Sequence, residues 1–374
     1  MVELARRLCA ALPDPLEVVV FVNSGSEAND LALRLARAYT GSKNTIVVDG
    51  GYHGHTLGCL EVSPYKYEHS KEFSLRSNGN YATPGKHIWK VPSPDTYRGE
   101  HRDKATAGAK YAKYVEDACT FYKENNESVG AFIVEGGMSV AGVILPPGDY
   151  LRKSVDAVRG AGGVYIADEV QTGFGRLGSC YWAFQHGNSG VVPDIVTVGK
   201  PFGNGMPLAA VIMTRNVASG FQDMGVEYFN TFGGNPVCAA AGLAVLDVLE
   251  KENLQDSALS VGTYLQSKFR QLQKKVSLIG DIRGSGLFIG IELVRDRETL
   301  EPATPETSYI CTTLKQKYDI LSSIDGLHDN VLVVKPPLVF SKRDADYFAE
   351  SFERASEDLR CLGDEIKNMT KTPT

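Results

Sequence analysis

The sequence predicts an α/β protein: a mainly parallel central sheet with helices on both faces, followed by a smaller C-terminal α+β domain. Three observations carry that prediction. From Glu17 to Thr214, short β-branched runs ending in a glycine or a carboxylate alternate with helix-like segments. Those runs are apolar almost throughout, the pattern of strands buried on both faces. After about Lys251 the texture changes to long helices with a few short strands. The 374 residues thus divide into a large domain, 1–250, and a small one, 251–374, and that length suffices for two cores.

The elements follow in order. Val2, Ala5, Leu8 and Leu12 recur at helical spacing, interrupted by Glu3, Arg6 and Arg7, which describes an amphipathic helix and not a signal peptide. Strands are expected at 18–22, 45–49, 131–135, 164–168, 195–198 and 209–213. In such sheets ligands collect at the carboxyl ends of the strands. The stretch 68–85 is polar and aperiodic, as in a long surface loop or insertion. Beyond residue 251 the pattern predicts a helix at 256–275, strands at 287–294 and 331–334, a helix at 344–359 and a frayed tail at 363–374.

Composition narrows the function. The net charge of −6 provides no basic field for nucleic acid or anionic lipid, so an anionic ligand needs a local site. No apolar run approaches the length of a membrane span. Cys9, Cys59, Cys119, Cys180, Cys238, Cys311 and Cys361 are dispersed, odd in number and without a C-x-x-C pair, as expected of reduced thiols.

Four segments carry candidate chemistry. Residues 22–29, V-N-S-G-S-E-A-N, follow a strand and open a helical pattern. Ser24 and Glu27 have capping-box spacing, and Gly25 lets another group approach the backbone closely. The segment is either an ordinary cap or, with free amides beside a hydroxyl, a phosphate cradle. Gly51, Tyr52, His53, Gly54 and His55 follow the next strand, where an aromatic between glycines can stack on a planar ring. Two histidines alternating on an extended segment with no cysteine or carboxylate partner make a poor metal site, and no metal is expected.

Asp168 ends the strand at 164–168 and precedes E-V-Q-T-G-F-G-R. A carboxylate there is costly unless it meets a cation, caps a helix or joins a salt bridge. Lys200 ends the strand at 195–198, between Gly199 and the glycine-rich stretch 201–207. It is poorly placed for a solvated charge and well placed for a desolvated amine, the form that attacks a carbonyl. The glycines and lysine stand in the reverse order of a P-loop.

Taken together, S-G-S-E-A-N-D, Y-H-G-H, A-D-E-V-Q-T-G-F-G-R, T-V-G-K-P-F-G-N-G-M-P and T-F-G-G-N-P-V resemble the class III aminotransferases in order and spacing. The resemblance runs from about Leu4 to Ser341. Y-F-N-T-F-G-G-N-P, P-D-T-Y-R-G and I-R-G-S-G-L-F-I-G-I are similar to one branch of that family. That branch holds ethanolamine-phosphate phospho-lyase and 5-phosphohydroxy-L-lysine phospho-lyase, the alanine-glyoxylate aminotransferase 2-like proteins. The resemblance implies a fold-type I transferase with pyridoxal 5'-phosphate as cofactor.

By this resemblance Lys200 would carry the cofactor as a Schiff base and later move the substrate proton. Asp168 would pair with the ring nitrogen, Gln171 with the ring hydroxyl, and Tyr52 would stack on the ring with His53 nearby. Gly25 and Ser26 would hold the cofactor phosphate, and Thr231 would reach that phosphate from a neighbouring subunit. A homodimer, or a tetramer of such dimers, is therefore implied, with no nucleic-acid or membrane partner. The family's N-terminal segment has no counterpart here, so the chain is expected to start within the family pattern. A mitochondrial location is implied, with no targeting segment visible; the alternative is cytoplasmic.

Two departures bear on the reaction. Many class III aminotransferases have E-P-x-Q-G-E-G-G after the third strand, and this chain has Val140 at the second glutamate's place. Many have an arginine three residues before Pro-Pro, and here that residue is Val333. Loss of both disfavours amino-acid substrates and fits an amine carrying a phosphate, with Arg98, Lys66 and Arg176 as candidate cations for it. Three functions are expected to compete: a phospho-lyase releasing phosphate from phosphoethanolamine or 5-phosphohydroxylysine, a transaminase of the alanine-glyoxylate type, and a truncated, catalytically silent homologue.

Overall fold

The computed structural model describes residues 1–66 and 87–362, so the loop expected at 68–85 and the tail at 363–374 lie outside the described residues. Chain packing divides the protein into two units. The first comprises Met1–Met138, Leu145–Phe174 and Trp182–Glu252; the second comprises Ser139–Ile144, Gly175–Tyr181 and the chain from Asn253 onward.

The first unit holds a seven-stranded sheet built from β1 (Leu16–Val22), β2 (Thr45–Val48), β3 (Ile88–Val91), β4 (Ala131–Glu135), β5 (Val164–Asp168), β6 (Ile195–Val198) and β7 (Ala209–Thr214), in the order β1-β7-β6-β5-β4-β2-β3. The pairs from β3 to β6 are parallel, and only β7 runs against its neighbours β6 and β1. β4, β5 and β6 are buried along their whole length, which is why they are mostly apolar without alternation, with Glu135, Asp168 and Thr197 as the exceptions. β3 was not among the expected strands. It has four residues, including Lys90, and pairs only with β2 at the edge.

The helix Gly25–Thr40 lies on this sheet through Leu31, Ala32, Leu35 and Ala36, all buried. Ser24 caps its start, its hydroxyl accepting from the Glu27 N–H at 3.2 Å, and Gly41 ends it in the left-handed region at φ 68°. The cap sets where the first amides of the helix stand, just beyond the end of β1.

The second unit has a four-stranded antiparallel sheet in the order β10-β11-β9-β8, from β8 (Ile279–Ser285), β9 (Phe288–Leu293), β10 (Ser323–Asp325) and β11 (Val331–Val334). Helices Leu254–Leu272, Thr304–Tyr318 and Lys342–Leu362 accompany it. Phe269 centres an apolar core, with ring centroids 5.4 Å from Phe348 and 5.1 Å from Phe352.

Two short segments from within the span 1–250 belong to this second unit. The Gly326 N–H donates to the Val140 carbonyl at 2.9 Å, and Arg283 Nε donates to the Gly142 carbonyl at 2.8 Å. Leu287 N–H donates to the Arg176 carbonyl at 3.0 Å, and Ser285 Oγ to the Leu177 carbonyl at 2.7 Å. A single cut near residue 250 misses them, because their partners lie more than a hundred residues away in the chain.

Candidate functional site

The carboxyl ends of β1, β4, β5 and β6 open onto one cavity of the first unit, with a volume of about 480 Å³. Among its lining residues are Gly25, Ser26, Tyr52, His53, Asp168, Gln171 and Lys200. Seven sequence-selected residues from four separate segments of the chain therefore meet in one place.

Asp168 ends β5 with 3% of its surface exposed. Its Oδ2 accepts from Asn29 Nδ2 at 2.8 Å and stands 2.8 Å from His53 Nδ1; its Oδ1 accepts from the Val170 N–H at 3.0 Å. A carboxylate offers about four acceptor positions, so one position on Oδ1 is left for a further donor. The carboxylate needs a proton on His53 Nδ1, which assigns the tautomer of that ring.

Tyr52 is held by both ends. Its N–H donates to Glu135 Oε1 at 3.0 Å, and its ring meets Tyr65 edge-on at 5.0 Å and His55 at 5.5 Å. Partial burial raises the Tyr52 hydroxyl above its ordinary pKa, with nearby Tyr65 adding to it. The Ser26 hydroxyl accepts from the His55 N–H at 3.2 Å, which leaves its own proton to donate. The amides of Gly25 and Ser26 begin a helix and have no acceptor within it.

Lys200 follows Gly199 with φ at 30°, a left-handed conformation that costs a non-glycine residue about 1–3 kcal/mol and is characteristic of functional positions. Its side chain is exposed on the cavity in the single chain, not desolvated as the sequence suggested. The strand end delivers it to open space, and whatever fills the cavity would supply the desolvation.

The remaining residues selected from the sequence fall elsewhere. Thr231 is exposed and does not line the cavity. Its neighbour Asn230 accepts from Asn23 Nδ2 at 2.9 Å and donates to Glu27 Oε2 at 3.0 Å, which fastens that turn to the helix cap. Arg98 is not part of the lining. Arg176 lies in the second unit and donates from Nη1 to the carbonyls of Leu287 and Pro336, at 3.1 and 2.9 Å, so it ties strand and loop ends together there. Burial pushes its guanidinium down to about 10. Lys66 ends a short helical turn, Pro64–Lys66, and its side chain lies outside what is described. Val333 is 2% exposed within β11, opposite Gly290, and Val140 sits in the second unit.

The structure adds residues that stand in the sequence only as letters of its motifs or strands. Asn29 and Thr197 are buried beside Asp168, and Glu135 stands at the end of β4. Glu169, entirely buried, accepts from the N–H groups of Phe184 and Ala183 at 2.8 and 2.9 Å. Burial raises its carboxyl to about 8 against those two bonds. A polar letter on the sheet-facing side of a helix, as at Asn29, or inside an apolar strand, as at Thr197, was the available signal.

The model of the aminotransferase class-III family matches residues 1–356, and the chain belongs to that family. It is 47% identical over 356 residues to a Drosophila melanogaster protein named alanine–glyoxylate aminotransferase 2-like, covering 94% of this chain and 70% of that one. It is 42% identical over 354 residues to ethanolamine-phosphate phospho-lyase homolog 1 of Caenorhabditis elegans, covering 92% and 73%. Among solved structures it is similar to a phospholyase from Arthrobacter in complex with phosphoethanolamine. There the TM-score is 0.86 at 34% identity, covering 95% of this chain and 81% of that one. An amine transaminase from an uncultivated Pseudomonas species, solved with pyridoxal phosphate bound, gives a TM-score of 0.84 at 27% identity, covering 96% and 80%.

The protein is thus a class III enzyme of fold type I, and its cofactor is pyridoxal phosphate. The cavity fits that group on its own geometry. A Cβ on Gly25 would stand 2.7 Å from Val170 Cγ1, and one on Gly54, at φ 127°, would stand 2.6 Å from Ser26 Oγ. Both glycines keep a close-walled cradle beside helix-start amides, the surroundings a phosphate requires. At the other side the spare acceptor of Asp168 suits a protonated ring nitrogen.

Proposed function

We propose that this enzyme eliminates phosphate from a phosphorylated primary amine, converting phosphoethanolamine and water to acetaldehyde, ammonia and phosphate, or acting likewise on 5-phosphohydroxylysine. The observation that carries the reading is the apolar pair Val140 and Val333, at places where many family members handle a substrate carboxylate. Val333 is packed within β11 and offers no donor. The phospho-lyase names and the phosphoethanolamine complex among its relatives support the same reading.

When bound, pyridoxal phosphate supplies an aldehyde that condenses with amines and a ring that accepts the electron pair left on the adjacent carbon. Lys200 is the amine that holds it at rest and the base that takes the proton from the nitrogen-bearing carbon of the substrate. Asp168 would keep the ring nitrogen protonated through the open position on Oδ1. Tyr52 and His53 would flank the cofactor ring, Gln171 would meet its hydroxyl, and Gly25 and Ser26 would hold its phosphate. Thr231 is supplied to that phosphate by a second copy of the chain, so the enzyme works as a homodimer. A mitochondrial location is proposed with it, supported by family relatives named as mitochondrial.

Transamination is the second reading, favoured by the relative named alanine–glyoxylate aminotransferase 2-like. It uses the same cofactor residues and diverges only after the proton has been removed. Purified enzyme loaded with cofactor should release phosphate from phosphoethanolamine with no keto acid present. Release only when pyruvate or glyoxylate is added would overturn the lyase reading.

A further inference from the structure

Asn29 stands where four pieces of the first unit meet. Its Nδ2 donates to Asp168 Oδ2 at 2.8 Å and to the His53 carbonyl at 2.9 Å, while its Oδ1 accepts from Thr197 Oγ1 at 2.7 Å. Asn29 is 1% exposed and Thr197 is fully buried, so no water competes for these bonds. Thr197 pairs directly with Asp168 across β5 and β6, and residues in parallel register point to the same face.

An amide side chain has nearly the same shape in its two orientations, and its neighbours alone choose between them. Two neighbours of Asn29 are acceptors and require its NH2. Thr197 is the donor that occupies the oxygen at the other end. Turned about, Asn29 would set its oxygen against both the Asp168 carboxylate and the His53 carbonyl.

We propose that Thr197 is a positioning residue for the cofactor: by donating to Asn29 Oδ1 it holds in place the amide whose NH2 group secures Asp168 Oδ2, and so leaves Oδ1 of Asp168 to meet the cofactor ring. Thr197 does not line the cavity and acts only through Asn29. The inference rests on the reading of Asp168 as the partner of the ring nitrogen.

The test compares holoenzyme carrying Thr197→Val, Thr197→Ser, Asn29→Asp or Asp168→Asn with the unsubstituted enzyme. Three quantities are measured: the dissociation constant of pyridoxal phosphate, the pH midpoint of the bound cofactor's visible absorbance, and the melting temperature without cofactor. Thr197→Val keeps the shape and loses the donor. It should weaken cofactor binding roughly tenfold or more, because the buried Asn29 Oδ1 is left without a donor, and move the pH midpoint. Thr197→Ser keeps the donor and should bind within about threefold of the unsubstituted protein. Asn29→Asp keeps the Thr197 bond and loses both N–H donors, so it should weaken binding at least as much as Thr197→Val, and it serves if the valine variant does not fold. Tyr52, His53, Glu135 and Lys200 share the cavity and are unchanged in all four variants, so a moved midpoint reports on the Asp168 end.

Valine and serine variants with equal affinity and midpoint, differing only in melting temperature, would make Thr197 merely structural. If Asp168→Asn matches the unsubstituted protein, the reading of Asp168 falls and this one with it. If Asp168→Asn is impaired while Thr197→Val and Asn29→Asp are not, this inference alone falls. Phosphate release without a keto acid is an independent measurement and touches neither outcome.

Discussion

Glu169 makes the stability of the protein depend on pH in a direction that can be worked out beforehand. Its carboxyl is buried, and burial is the largest influence on it, raising it from 4.5 to about 8. The folded state therefore favours the protonated acid more than the unfolded chain does. That contribution to stability is fully present below about pH 4.5, where both states are protonated, and is lost as the pH rises through about 8. The whole difference is roughly 5 kcal/mol, and about 2 kcal/mol of it falls between pH 6 and pH 8. For a chain of this length 2 kcal/mol corresponds to a melting shift of about 3 °C.

The perturbation is Glu169→Gln, which has nearly the same shape and does not titrate. Glutamine has one acceptor oxygen where Glu169 uses two, for Phe184 and Ala183, so the variant loses part of that anchoring at every pH. That cost cancels when the pH difference of the variant is subtracted from that of the unsubstituted protein. Thermal unfolding of both proteins without cofactor, at about pH 6 and pH 8, supplies the four numbers. The unsubstituted protein should lose about 3 °C more than the variant over this interval. Equal losses would refute the reasoning and mean that the two N–H donors keep Glu169 ionised in spite of its burial.

The cradle and the second unit give two further predictions. Gly25→Ala should weaken pyridoxal phosphate binding by tenfold or more, since the new methyl would stand 2.7 Å from Val170 Cγ1. Adding Val170→Ala should recover most of the loss in a cofactor titration, and no recovery would exclude that clash as the cause. Arg176→Met should lower stability by about 1–3 kcal/mol, because the carbonyls of Leu287 and Pro336 lose a shared buried donor. Denaturant unfolding checks it, and an unchanged midpoint would show that water replaces the guanidinium.

How much could be read beforehand followed how local the signal was. Strands such as Ile195–Val198 announce themselves, because three apolar residues and a β-branched threonine between turn residues suit a strand buried on both faces. β8 does not, since Gly280, Asp281, Arg283 and Gly284 interrupt any apolar pattern, and its place is set by pairing with β9. The same division holds at the site. Gly25, Ser26, Tyr52, Asp168, Gln171 and Lys200 sit at strand ends where a parallel sheet gathers its ligands, and the cavity contains all six. Asn29 and Thr197 carry no sign in the chain of the bond between them, 168 residues apart. Arg176 shows the converse. A cation in a motif suggests an anion to bind, and the fold spends two of its bonds on backbone carbonyls instead.

Asp168 and Glu169 are consecutive acids with different tasks, and their surroundings divide the charge between them. Asp168 faces the cavity amid donors from Asn29, His53 and Val170. Glu169 meets the backbone at Ala183 and Phe184, and the neighbouring Asp168 charge adds to the burial that pushes it toward its neutral form. Two adjacent carboxyls in a low-dielectric interior cannot both be charged cheaply. A proton held on Glu169 removes the repulsion that would otherwise oppose a negative charge on Asp168. It follows that Glu169→Gln should preserve cofactor binding at pH 6, where Glu169 is protonated, and a cofactor titration at that pH checks it.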